Sequence, residues 1–278
     1  MILKCGNKKI ILGHKTYVMG ILNITPDSFS DGGKFNTVDK AISCAEQMLE
    51  DEVDIIDIGA ESTRPFSSKV SLDEELNRIL KIVTSLVARG ITNISIDTCK
   101  SEVARQCLSE GASWINDVSA FSDVRMIKVA SKADALILMH SRKFPNTIEK
   151  DKIDDNNIVE EVKNFLYKKV ELAEKYNISK NKILIDQGIG FNKTFNNNLE
   201  LIQQIKEFKN IGAGIVCGPS RKRFLGRITG IEKPIERDIA TLGVVAFASM
   251  NDADIVRVHN VKGTVELLKV LQKLQRKI

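Results

Sequence analysis

Short apolar segments, many of them β-branched, recur eight times along the chain, at 17–23, 53–58, 93–97, 113–117, 134–140, 182–186, 212–218 and 253–259. Between them lie stretches with apolar residues at helical spacing, among them 38–52, 72–88, 101–110, 157–176 and 198–208. This is a repeated strand–helix unit. The strand segments do not alternate apolar with polar, so both of their faces must be buried, which predicts a parallel sheet covered by helices. A count of eight favours a closed (β/α)8 barrel of the TIM type over an open sheet, and the glycine-rich turn that an open dinucleotide-binding sheet carries after its first strand is missing. The segment MILKCGNKKIILGHKTYV precedes the first barrel strand and reads as a short hairpin around Gly6.

The strands share a second pattern: each ends in polar residues. These are Asn23, Asp57, Asp97, Asn116 with Asp117, His140, Asp186, Ser220 with Lys222, and Arg257 with His259. In a barrel those ends converge on one mouth, so residues far apart in sequence line a single cavity. Any one of them could instead cap a helix or hold a turn. Eight polar strand ends together predict a site.

The loops refine its chemistry. ITPDSFSDGGKF at 24–35 is longer and more polar than an ordinary strand–helix connection and reads as a lid. GAESTRPFSS at 59–68 offers the Thr63 hydroxyl and the Arg64 guanidinium to an anion or an aromatic ring. CGPSRKRFLGRITG at 217–230 opens a basic helix with a Gly-Pro-Ser turn and is the strongest anion signal in the chain, with Ser220 and Lys222 expected to point inward. Asp97, Asn116 and Asp186 form an array of acceptors and an amide, suited to a flat heterocycle with several N–H donors, such as a pterin; pairing with Lys222 and Arg257 is the competing reading. His14 and Trp114 are read as packing residues.

Composition narrows the class. A length of 278 residues fits one barrel of about 250 residues, so a single domain over 1–278 is expected. The chain is 43% hydrophobic and 28% charged, and no apolar run approaches the roughly 20 residues of a membrane span. The N-terminus lacks the unbroken apolar core of a secretory signal, and five cysteines without C-x-x-C spacing argue against a disulfide framework or a structural zinc site. A cytoplasmic protein that binds neither membrane nor nucleic acid is expected. The net charge of +5 suits an anionic ligand but is spread thinly.

The motifs ILNITPDSFSDGG, DIGAESTRP, SIDTCKSEVA, INDVSAF, ILIDQGIGFNKT, GPSRKRFLG and IVRVHNV, in this order from about Met19 to about Val261, resemble those of the dihydropteroate synthase family of pterin-binding barrels. The resemblance implies a transferase of folate biosynthesis, usually dimeric and a sulfonamide target. It joins hydroxymethyl-dihydropterin diphosphate to p-aminobenzoate by a dissociative substitution that releases pyrophosphate. It also implies site roles. Asp97, Asn116, Asp186 and Lys222 surround the pterin, while Asn23 lies near a Mg²⁺ carried on the diphosphate. Arg257 and His259 hold the diphosphate, and Thr63, Arg64, Phe191, Ser220 and Lys222 frame the aminobenzoate. Lys222, Asp97 and Arg257 then carry the chemistry.

The chain departs from the family pattern at Ala60, at Ala120 and Phe121 in place of a glycine pair, at Gln187 in place of proline, in LMHSRKFP, and at Asn260 in place of aspartate. Other readings are a pterin-binding paralogue without synthase activity, a methyltransferase acting from methyltetrahydrofolate, and an aldolase-like barrel with Lys222 as Schiff-base nucleophile.

Overall fold

Period-two alternation within the strands divides the interior into two cores. A computed structural model of the chain describes residues 1–24, 34–61, 70–142 and 157–275. Its barrel strands are β3 (Tyr17–Asn23), β4 (Ile55–Gly59), β5 (Ile94–Asp97), β6 (Trp114–Asp117), β7 (Ala135–Met139), β8 (Ile183–Asp186), β9 (Gly214–Cys217) and β10 (Ile255–Val258). All eight run parallel and close in the order β10-β3-β4-β5-β6-β7-β8-β9. Tyr17, Met19, Ile55, Trp114, Ala135, Ile137, Leu184, Val216 and Ile255 face inward and fill the barrel. Their sequence neighbours Val18, Ile56, Ile115, Leu136, Leu138, Ile185 and Val256 face outward into the layer beneath the helices.

The outer ring consists of α1 (Lys34–Glu50), α2 (Leu72–Ala88), α3 (Ser101–Ser109), α4 (Met126–Ala130), α5 (Ile158–Lys175), α6 (Phe195–Gln203), α7 (Arg223–Thr229), α8 (Asp238–Met250) and α9 (Val261–Gln275). Their starts follow local chemistry. Ser71 caps α2 by accepting from Glu74 N–H, and three acidic residues occupy the first turn. Thr194 and Asn197 form a capping box, so α6 begins at Phe195 rather than 198, and the chain continues past Gln203 as a 3-10 turn over Ile205–Phe208.

The expected hairpin is present: β1 (Ile2–Cys5) pairs antiparallel with β2 (Lys8–Ile11). Leu3, Cys5, Ile10 and Leu12 turn their buried faces to the inner core, and Trp114 donates from Nε1 to Lys4 O at 2.7 Å. The hairpin thereby closes the N-terminal end of the barrel, and the opposite end is left to carry the site. Trp114 is a packing residue as expected; His14 is exposed in the turn before β3, not packed. All five cysteines are free thiols. Among the described residues no helix is long and apolar enough to cross a membrane.

Candidate active site

Above the apolar layers, the inward positions become polar. Asp57 on β4 is fully buried, and its Oδ2 accepts from Arg257 Nε at 2.6 Å and from Asn116 Nδ2 at 3.0 Å. Asp97 accepts from Arg257 Nη2 at 2.6 Å and lies across the β5–β6 ladder from Asn116. The guanidinium of Arg257 thus bridges two carboxylates. Burial raises the Asp97 carboxyl to about 7 against the pull of Arg257. It also opposes the charge on Arg257, yet the coulombic pull of Asp57 and Asp97 more than offsets it, and Arg257 stays above the ordinary guanidinium value. Of the two readings of these carboxylates, pairing with Arg257 is realised for Asp97.

Asp186 ends β8. Its Oδ1 accepts from Gly188 N–H at 2.6 Å, and burial raises its carboxyl while that bond and Lys222 oppose the shift. The turn that follows requires glycine. At Gly188, with φ +67°, a Cβ would lie 1.8 Å from His140 O. Lys193 staples the same turn from behind, donating to the carbonyls of Gly188 at 2.8 Å, His140 at 3.2 Å and Phe191 at 3.3 Å; burial lowers it to about 7. The result is a fixed Phe191, whose ring lies 4.3 Å from Lys222 Nζ and packs with Val118 and Met139 as an apolar wall.

Lys222 is positioned by an unusual turn. Arg221 takes a left-handed φ of +57°, donates its N–H to Thr241 Oγ1 at 3.0 Å and pairs with Asp238 at 2.7 Å. The buried Arg237 donates to Arg221 O at 3.1 Å. Ser220, also buried, accepts from His259 N–H at 3.1 Å, and its Oγ lies 2.8 Å from His259 Nδ1. The contact between Ser220 Oγ and His259 Nδ1 fixes the imidazole with its Nε2 as the ring nitrogen not engaged by Ser220. Of the three neighbouring arginines, Arg221 is tied to Asp238, Arg223 is exposed, and Arg227 stacks 4.3 Å from the Phe195 ring centroid.

The structure therefore places Asp97, Asn116, Asp186, Ser220, Lys222, Phe191, Arg257 and His259 at the C-terminal end of the barrel, with Asn23 half-buried at the end of β3. Thr63, Arg64 and most of the first two loops lie outside the described residues. The ends of the second loop are held together, since Val70 N–H donates to Glu61 at 3.2 Å and Lys100 bridges Glu61 and the buried Glu75 at 2.5 Å each.

Two strand-end residues do not join the site. His140 follows the inward Met139 and faces the helix layer, edge-on to Phe165 at 4.9 Å. Asp117 follows Asn116 in the same way and holds a turn, accepting from Ser119 N–H at 3.0 Å and Phe121 N–H at 2.7 Å. That turn gives Ala120 and Phe121 positive φ of 47° and 72°, which explains a glycine pair in the family pattern. Asn260 accepts from Gly263 N–H at 3.0 Å and so makes a cap bond that aspartate could also make. Gln187 is fully buried, and neither amide atom has a hydrogen-bond partner. Two contributors had no assigned role in the sequence reading. Asp57 was visible only as a strand end, and Arg237 carries no local signal.

Comparison with known proteins places this geometry in a family. Residues 19–259 match the family model described as pterin binding enzyme, and the chain belongs to that family. It is 43% identical over 276 residues to the dihydropteroate synthase of Synechocystis, covering 99% of this chain and 95% of that protein. It is 44% identical over 278 residues to the folate synthesis bifunctional protein of Arabidopsis thaliana, covering 95% of this chain but only 57% of that longer protein. A solved structure of Xanthomonas albilineans dihydropteroate synthase with 4-aminobenzoic acid superposes with a TM-score of 0.92 at 35% identity, covering 100% of this chain and 99% of that one.

Proposed function

We infer that the barrel acts as a dihydropteroate synthase in folate biosynthesis, a transferase that condenses 6-hydroxymethyl-7,8-dihydropterin diphosphate with p-aminobenzoate. The observation that carries this is the buried set of Asp97, Asn116 and Asp186 on three adjacent or near-adjacent strands, beside Lys222, in a chain of the pterin-binding family.

In this reading the pterin ring gives its N–H donors to Asp97, Asn116 and Asp186, and Lys222 lies against it. Arg257 and His259 hold the diphosphate. Phe191, Ser220 and Lys222, together with Thr63 and Arg64, frame the aminobenzoate. The bond between the pterin methylene carbon and the diphosphate oxygen breaks first, with its electron pair leaving on pyrophosphate. The electron-poor methylene is stabilised by the conjugated ring and the nearby carboxylates. The aniline nitrogen then attacks that carbon and gives up a proton, forming 7,8-dihydropteroate. No covalent enzyme intermediate is required, and Lys222 serves as a charge beside Phe191 rather than as a Schiff-base nucleophile.

Magnesium fits as a partner of the substrate. Among the described residues no group of three or more His, Cys, Asp or Glu side chains is gathered for a metal. The hard carbonyl oxygen of Asn23 offers one ligand, which suits an ion carried mainly by diphosphate oxygens. Bound there, Mg²⁺ would neutralise charge on the leaving group.

A homodimer is part of this reading and is supported by α8, which is almost wholly apolar yet exposes Ile239, Phe247 and Met250. A cytoplasmic setting suits five free thiols. The test is to mix purified protein with the two substrates and magnesium and to measure pyrophosphate and dihydropteroate. Equimolar release supports the reading. Pterin binding without turnover by folded protein would leave a binding paralogue instead.

A further inference from the structure

The centre of the polar layer is a residue that the assigned roles leave out. Asp57 Oδ2 ties three strands at one atom, because it sits on β4 while its donors Arg257 and Asn116 come from β10 and β6. Its second oxygen, Oδ1, is buried and has no partner. A buried carboxylate with one oxygen unsatisfied is poor design for stability, since a well-packed apolar side chain commonly serves the fold as well or better. Its presence is explained if the geometry it imposes is used.

We propose that Asp57 is a positioning residue for the condensation: from below the ligand surface it sets where Arg257 and Asn116 present their polar atoms to the pterin diphosphate. The inference rests on the synthase reading. Two consequences follow from the chemistry of a carboxylate. It offers no hydrogen, so Asn116 can meet it only through its amide nitrogen, which turns the Asn116 carbonyl oxygen away from Asp57 and towards an N–H donor on the ring. It also grips Arg257 at Nε while Asp97 grips Nη2, so the planar guanidinium is held at two points along one edge and cannot turn about its Cγ–Cδ or Cδ–Nε bonds without losing one of them. Without Asp57, Arg257 is fixed by Asp97 alone and follows that residue's movements as the pterin binds.

The experiment compares wild type with Asp57→Asn, which preserves volume and leaves an oxygen where Oδ2 stood, but removes the negative charge that grips Arg257 and puts an NH2 group at the buried, partnerless Oδ1 position. Calorimetric binding of 6-hydroxymethylpterin, a probe of the ring half alone, is measured first, then kcat and KM for each substrate, then Tm. The loss of charge assistance at both hydrogen bonds, with an unpaired NH2 group buried in place of Oδ1, predicts a roughly tenfold to hundredfold rise in pterin Kd and a similar fall in kcat/KM for the pterin diphosphate. The KM for p-aminobenzoate should stay within about twofold, since the hydrogen bonds described for Asp57 go to Arg257 and Asn116, neither of which frames the aminobenzoate.

Unchanged pterin Kd and kcat/KM in folded Asp57→Asn would overturn the proposal. So would equal losses for both substrates with a lowered Tm, which would mark a merely structural residue. Because the calorimetry needs no turnover, failure of the synthase reading would appear separately, as pterin binding without product in the wild type. If Asp57→Asn does not fold, Asp57→Ser is subjected to the same measurements and judged by the same outcomes.

Discussion

Lys222 Nζ lies 4.3 Å from the centroid of the Phe191 ring, joining the turn after β9 to the turn after β8. Both turns are braced from outside the mouth, Lys222 through the left-handed Arg221 and the buried Arg237, and Phe191 through Lys193. Gly190 fits beneath them: at φ +84° an added Cβ would stand 3.0 Å from Lys222 Cδ. Lys222→Ala should therefore lower kcat/KM by about a hundredfold or more with little change in Tm, as expected for a charge aimed at the reacting groups. Gly190→Ala should lower it too, through displacement of Lys222. Steady-state kinetics with a thermal melt checks both; near wild-type kcat/KM in Lys222→Ala would remove the role assigned to that residue.

Asp97 is expected to make activity depend on pH. Burial lifts its carboxyl from the ordinary range to about 7, so the ionised form that accepts N–H donors predominates only above that pH. The expected profile of kcat/KM for the pterin diphosphate rises with pH through an apparent value near 7 and then levels. On the acid side it falls by about tenfold per unit. Asp97→Asn should lose both the rate and this dependence on the free enzyme. A profile in which Asp97→Asn keeps the same acid limb would assign that limb to another group.

The strand positions were legible because inward and outward residues are both apolar, and the ends of those strands stood out by turning polar. Asp97, Asn116 and Asp186 were found that way. The same rule misplaced His140 and Asp117, because the side of the sheet a residue faces changes with every step along the strand, and each lies one step beyond an inward residue. The bracing of Lys222 could not be read locally: Arg237, Asp238 and Thr241 act on Arg221, which lies 16, 17 and 20 residues earlier. The clamp on Arg257 is a matter of barrel closure, since β10 and β4 become near neighbours only when β3 lies between them.

The apolar face of α8 predicts association. Ile239 is 85% exposed, Met250 58% and Phe247 40%, and Gly243 on the same face leaves open space where a side chain would project. Such a stripe in water favours a second copy of the chain, because a twofold axis covers it with itself. Light scattering should give twice the 31.0 kDa chain mass for wild type and a shift towards the single-chain mass for Phe247→Glu. A wild type that stays monomeric at high concentration would refute the dimer.

Gln187 offers a test of packing away from the chemistry. It is fully buried on the outward side of the β8 end, and both its amide atoms lack partners, where the family pattern has proline. An unpaired buried amide costs about 1–3 kcal/mol, and leucine fills a similar volume without polar atoms. Gln187→Leu should therefore raise Tm by several degrees, given about 2–4 °C per kcal/mol for a chain of this size. Because its neighbour Asp186 is held by Gly188 N–H rather than by Gln187, kcat/KM should stay within about twofold of wild type. A lower Tm in Gln187→Leu would mean that this amide is satisfied in solution, with a bound water as the simplest partner.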